Sequence, residues 1–123
     1  MELTPLVPAG RQLIERYARS GFRISGVIWA GPVLVFPDET MAWPVAGPAA
    51  VTWDSLAPVL AHEVQVLLLG TGRRMPAMEL SLRTELRAAG IALEAMDTGA
   101  ACRTYNVLVA EERRVAAALL PPV

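Results

Sequence analysis

Lysine is absent from all 123 residues, so every one of the eleven basic side chains is arginine. That absence removes the phosphate-binding lysine of a P-loop and the amine that a Schiff-base or pyridoxal-phosphate enzyme requires. Cysteine and histidine occur once each, as Cys102 and His62. They are too few for an internal disulfide or for a structural zinc site of four nitrogen and sulfur ligands, and the sequence predicts no metal and no cofactor. Excess positive charge is missing too: 11 basic against 12 acidic residues leave a net charge of −1. Such a balance provides no field to draw in nucleic acid or an anionic membrane. The uncharged stretch from Thr40 to Trp53, as long as any in the sequence, is broken by Pro44, Gly47 and Pro48. It falls short of the roughly 20 residues that cross a bilayer, so no membrane insertion is expected. Met1 to Gly10 has neither a positive nor an apolar signal region and contains Pro5 and Pro8; a cytoplasmic protein is expected.

What is present is apolar. Hydrophobic residues make up 54% of the chain, enough for one core in one domain spanning residues 1–123. The first third alternates β-branched and aromatic residues with Gly and Pro, which predicts short antiparallel strands at Phe22–Ile24, Val27–Ala30 and Val33–Phe36, with a fourth around Met41–Trp43. Leu13, Ile14, Tyr17 and Ala18 carry helical spacing, cut short by Ser20-Gly21. From Val51 onward helices and strands alternate. Trp53, Leu56 and Leu60 share a helical face, with Pro58 in the first turn and Ser55 preferred to Thr52 as the N-cap. Val64–Leu69 reads as a strand buried on both faces in the middle of the sheet. Pro76 opens a helix with Met78, Leu82, Leu86 and Ala89 inward and an outer Glu79–Arg83 pair, ended by Gly90. Ile91–Met96 is a strand, Thr98 caps a helix reaching about Arg113, and Val115–Leu120 returns as the last strand. The predicted fold is α/β: a three-layer domain with an N-terminal antiparallel β-meander followed by αβαβαβ and a mostly parallel central sheet.

Open parallel sheets bind ligands beyond the carboxyl ends of their strands. Two loops there draw interest. Gly70-Thr71-Gly72, followed by Arg73 and Arg74, offers backbone N–H groups to an anion but lacks the third glycine of a nucleotide fingerprint. Asp97 and Thr98 begin a helix on which Arg103 and Asn106 lie one turn apart, predicted to face away from the stripe of Cys102 and Val109 and toward the same crevice. These seven residues, Gly70, Thr71, Gly72, Asp97, Thr98, Arg103 and Asn106, form the candidate ligand-binding set. No catalytic constellation accompanies them. His62 reads as a helix-end residue, Cys102 as a small buried hydrophobe, and Trp29, Trp43 and Trp53 as packing residues.

The ordered string Leu68-Leu69-Gly70-Thr71-Gly72, Gly90-Ile91 with Glu94, Asp97-Thr98, Ala101-Cys102, Thr104, Asn106, Leu108 and Glu111 resembles a small uncharacterised-domain family. That family includes the mitochondrial complex I (NADH dehydrogenase) assembly factor three. A weaker match extends to Gly21-Phe22 and Val33–Pro37. The resemblance implies a three-layer α/β fold, no established catalytic residues, and action through partner proteins of a membrane complex under assembly. Glu112 departs from the resemblance, standing where the family tends to have glycine at a helix end. The leading expectation is therefore a non-enzymatic protein-binding or assembly module. The rival is a small-anion or nucleotide-binding protein or enzyme using the strand-end loops; a meander edge would also offer pairing to a second copy of the chain.

Overall fold

The computed structural model describes residues 10–72 and 79–122. Three strands, β1 (Ile14–Ala18), β2 (Gly21–Ile24) and β3 (Val27–Ala30), form one antiparallel sheet. Leu13 to Ala18 thus lies mainly in a strand, not the helix its spacing suggests. Its partner is only two residues away: Ala18 pairs with Gly21 across Arg19-Ser20, a turn too tight for a helix to precede it.

The chain then leaves this meander. β4 (Val33–Val35) and β5 (Thr40–Ala42) pair with each other and join a second sheet ordered β5-β4-β8-β6-β7, where β6 is Val66–Gly70, β7 is Ala92–Met96 and β8 is Val115–Leu119. The β6–β7 and β6–β8 pairs are parallel, whereas β4–β5 and β4–β8 are antiparallel. The α/β architecture is the one expected, with a mixed sheet. Its middle strand is β8 rather than the more apolar β6, which lies beside it.

Two helices flank the sheet on one side, α1 (Ala57–Leu60) and α2 (Glu79–Ala88); α3 (Thr98–Ala110) and the three-stranded sheet cover the other. Strand alternation sends Leu34, Leu67, Leu69, Ala116 and Ala118 toward Val59, Leu82 and Leu86. Val33, Val35, Leu68 and Ala117 face Phe22, Ile24, Ala101, Cys102 and Tyr105. All five residues of β8, Val-Ala-Ala-Ala-Leu, are buried. Its small side chains let both outer layers approach the sheet closely.

Helix ends depart from expectation in instructive ways. Ser55 does not cap α1; Leu56 holds that position without a side-chain bond. Ser55 lies inside a preceding 3-10 turn, Asp54–Leu56. There Thr52 Oγ1 accepts from the Ser55 N–H at 3.2 Å and Ser55 Oγ accepts from the Thr52 N–H at 3.0 Å, the reciprocal pattern of a capping box. Pro58 does fall in the first turn of α1. On α2, Leu82 and Leu86 are buried, but Ala89 lies past the helix and is exposed. Pro76, Met78 and the Glu79 side chain lie outside the described residues; Arg83 donates to the Leu93 carbonyl.

At the end of α3 the chain closes a Schellman motif: the Glu112 N–H bonds the Val109 carbonyl and the Arg113 N–H bonds the Leu108 carbonyl, both at 3.0 Å. This puts Glu112 at φ +59°, where a Cβ is unfavourable. Glu112→Gly is expected to raise stability by up to about 1 kcal/mol, read as a higher denaturation midpoint at unchanged slope.

Asn106 ties α3 to the three-stranded sheet. Its Oδ1 accepts from the Ile14 N–H at 3.0 Å and its Nδ2 donates to the Ile14 carbonyl at 2.8 Å. Ile14 is fully buried, beside an irregularity in the β1–β2 register. The side-chain amide therefore replaces a missing strand partner. Asn106→Ala should lose about 2–4 kcal/mol in urea denaturation, because two buried backbone groups are orphaned at once. A loss near zero would mean that water or a shifted strand takes over.

Candidate functional site

The strand-end loops come together as expected, but their polar groups are largely committed. Gly70 ends β6 against the start of α3. A Cβ there would sit 3.0 Å from Leu119 Cδ2, 3.1 Å from Ala101 Cβ and 3.1 Å from Thr98 Cα, so glycine lets the helix touch the strand. Asp97, not Thr98, is the N-cap of α3, and its carboxylate accepts from the Ala100 N–H at 2.9 Å. Thr98 is the first helical residue, and its hydroxyl donates to the Leu120 carbonyl at 2.7 Å. A Cβ on Gly99 would come within 2.7 Å of the Tyr17 hydroxyl, so the first turn is covered. An incoming anion would meet the Asp97 carboxylate rather than a free helix terminus.

Thr71 is buried beside this junction, and its N–H bonds the Met96 carbonyl at 3.2 Å. Its hydroxyl has no hydrogen-bond partner among the described residues. Gly72 follows at φ +82°, and Arg73 and Arg74 lie outside the described residues. Arg103 is exposed and donates to the Tyr17 hydroxyl at 3.2 Å. Asn106 does not share that outward face: it is buried and turned onto β1. By spacing alone the two share a face, whereas the docked three-stranded sheet encloses Asn106.

Sequence reasoning missed a second location. An open groove of about 600 Å3 lies at the opposite end of the parallel strands, between the Pro37-Asp38 turn, the residues after α1 and the α3–β8 connection. Arg11, Arg113 and Arg114 line it together with Asp38, Glu63 and Glu112. Two of these, Glu63 at φ +51° and Glu112 at φ +59°, hold left-handed backbone without being glycine; conformations of this cost cluster at working surfaces.

His62 lies in this groove and is held on three sides. Its ring stacks on Phe36 with centroids 3.7 Å apart and planes 14° from parallel. Nδ1 lies 2.7 Å from the Pro58 carbonyl, an acceptor, so Nδ1 carries a proton. Nε2 lies 2.7 Å from Glu39 Oε2. Burial opposes charge on this ring, but the hydrogen bonds to Glu39 and Pro58 and the negative charges of Glu39 and Asp38 outweigh it and raise the pKa. The signal available in sequence was weak, since His62 and the Asp38-Glu39 pair are far apart in the chain.

Cys102 is fully buried on the α3 face that meets the sheet. Burial pushes its thiol up to about 12, against the lowering effect of Arg103. The native protein should therefore react very slowly with an aromatic disulfide reagent at neutral pH and rapidly in denaturant. Native modification at the free-thiol rate would show that the α3–sheet contact opens readily.

The tryptophans do not gather into a surface patch. Trp43 is buried in the α1/α2 layer with its Nε1 donating to the Ser55 carbonyl at 2.9 Å, Trp53 packs against the same layer, and Trp29 lies on the other side of the sheet. Among the described residues no helix is long and apolar enough to cross a membrane.

Comparison with known proteins places this architecture. A zebrafish protein named NADH dehydrogenase [ubiquinone] 1 alpha subcomplex assembly factor 3 is 38% identical over 112 residues, covering 89% of this chain and 64% of the relative. The chain thus spans less than two thirds of that protein's length. An uncharacterized Rhodobacter capsulatus protein is 39% identical over 115 residues, covering 92% of this chain and 87% of the relative. The crystal structure of a Bordetella parapertussis protein superposes with a TM-score of 0.82 at 38% identity, covering 93% of this chain and 99% of that one. The solution structure of a Bordetella pertussis Mth938-like domain gives 0.80 at 31% identity, covering 98% and 92%. Residues 14–120 match the model of a family described as protein of unknown function (DUF498/DUF598), and the chain belongs to that family.

Proposed function

We propose that this domain is a non-enzymatic, assembly-factor-like module that binds protein subunits of a membrane respiratory complex. The observation that carries this reading is the identity shared with proteins named as NADH dehydrogenase assembly factors across 89% of this chain. The side chains at the strand ends support it from a different direction. Asp97, Thr98 and Asn106 bond to the protein's own backbone, and Cys102 is buried away from any substrate.

In this reading Gly70, Thr71, Gly72, Asp97, Thr98, Arg103 and Asn106 shape the binding surface by fixing α3 and the small sheet. The partner contacts lie on β3. Among the described residues that strand pairs only with β2, and its Val27 and Ile28 are 54% and 74% exposed. An uncovered strand edge with apolar side chains is a ready surface for an added strand.

Affinity capture from the native cell tests the reading. The wild-type domain is expected to retain subunits of an NADH dehydrogenase, and Ile28→Asp, a change at an exposed position, is expected to lose them at unchanged thermal stability. Recovery of no such subunit sinks the assembly role. Equal recovery by the variant moves the contact off β3.

A further inference from the structure

We propose that Asp38, Glu39 and His62 form a binding site for one divalent first-row transition ion of the Zn2+ class. One donor atom from each residue, a carboxylate oxygen from Asp38 and Glu39 and a ring nitrogen from His62, lies within 4.8 Å of the other two. In a site with bonds of about 2.0–2.2 Å, the donors sit some 3.3–3.5 Å apart. Modest opening of the 2.7 Å His62–Glu39 contact and closing of the longer separations reaches that geometry. The donor set matches the ions as well. One imidazole with two carboxylates suits zinc, manganese, cobalt or iron, whereas calcium and magnesium favour sites of oxygen alone.

What distinguishes this cluster from a chance group of surface acids is how the imidazole is presented. In metal sites the ligating histidine characteristically donates its other ring N–H to a carbonyl or carboxylate, which fixes the tautomer and aims the remaining nitrogen. Here Nδ1 makes that bond to the Pro58 carbonyl at 2.7 Å, leaving Nε2 toward the two acids. Stacking on Phe36 fixes the ring plane.

The acids are held too. The Phe36 N–H bonds the Glu39 carbonyl at 2.7 Å, closing the tight turn that carries both carboxylates, and the Gln12 N–H bonds the Pro37 carbonyl at 2.9 Å. The Thr40 hydroxyl next in sequence donates to Gln12 Oε1 at 2.6 Å. Ligand and support therefore come from the β4–β5 turn, the α1 end and the segment before β1, a preorganised arrangement. Asp38 and Glu39 are exposed, and Asp38 and His62 line the groove, so positions not filled by protein remain open to solvent. The exclusion of a cysteine–histidine structural zinc site does not touch this one, which needs a single histidine and no thiol.

The test uses the untagged full chain titrated with Co2+ and then Zn2+. The expected result is saturation at one ion per chain, a visible Co2+ absorption band removed by Zn2+, and paramagnetically shifted ring signals from the protein's only histidine. Asp38→Asn combined with Glu39→Gln should weaken binding by at least about tenfold while leaving the circular dichroism spectrum unchanged. His62→Gln should do the same; should it fail to fold, the double acid variant decides alone. Absence of saturable binding, an unshifted histidine at saturation, or equal affinity in the double acid variant overturns the proposal.

Discussion

The fold depends on the contact between α3 and what lies on either side of it. On its sheet side, Gly70, Ala101 and Ala117 of β8 remove bulk, so the helix packs closely against the strands. On its other side, Asn106 supplies one acceptor and one donor to Ile14, and the Tyr105 hydroxyl donates to the Gln12 carbonyl at 3.1 Å. These bonds reach across almost the whole chain to hold the three-stranded sheet. An apolar residue at 106 would fit the buried setting by hydrophobicity alone, yet would leave strand β1 with unpaired polar groups in a dry interface. The polarity of Asn106 is thus a docking device, which explains why a buried amide lies on an otherwise apolar helix face.

The same contact explains the committed state of the strand-end loops. Asp97 caps α3, Thr98 ties its first turn to Leu120, and Tyr17 covers Gly99. Each of these three contacts uses a group that a ligand might otherwise meet, and each fixes the helix in place. Features that suggest a phosphate cradle in a sequence, small residues after an apolar strand and an acid-hydroxyl pair before a helix, arise equally where a helix must start very close to a sheet.

Much of the fold was legible from residue patterns. The apolar run of β6, the strands β2 and β3, the burial of Leu82 and Leu86 on α2 and the burial of Cys102 follow from periodicity and from glycine and proline punctuation. The strand β1 was not, because Leu13, Ile14, Tyr17 and Ala18 fit a helical period over a span too short to separate it from a twofold one. Nor was the transfer of β4 and β5 into the larger sheet, since adjacent strands in sequence are the default pairing and only tertiary packing overrides it. The groove was illegible for a simpler reason. Pattern rules direct attention to the carboxyl ends of parallel strands, while the antiparallel β4 runs the other way and carries Pro37, Asp38 and Glu39 to their amino ends. There His62 meets two acids from a distant stretch of chain, a juxtaposition that no local spacing encodes.

The position of β8 bears on how the protein comes to be folded during synthesis. It is the last of the described strands and also the middle one, with Val33 paired to Leu119 on one side and Val66 to Val115 on the other. Until β8 has left the ribosome, β4–β5 and β6–β7 have no common partner, and their apolar faces and open edges wait beside one another. Contacts between such distant residues slow folding and prolong the exposure of unpaired strands. A nascent chain of this design therefore depends on β8 to close the sheet, and termination just before Val115 would leave the β4–β5 hairpin and the parallel β6–β7 pair without the strand that joins them.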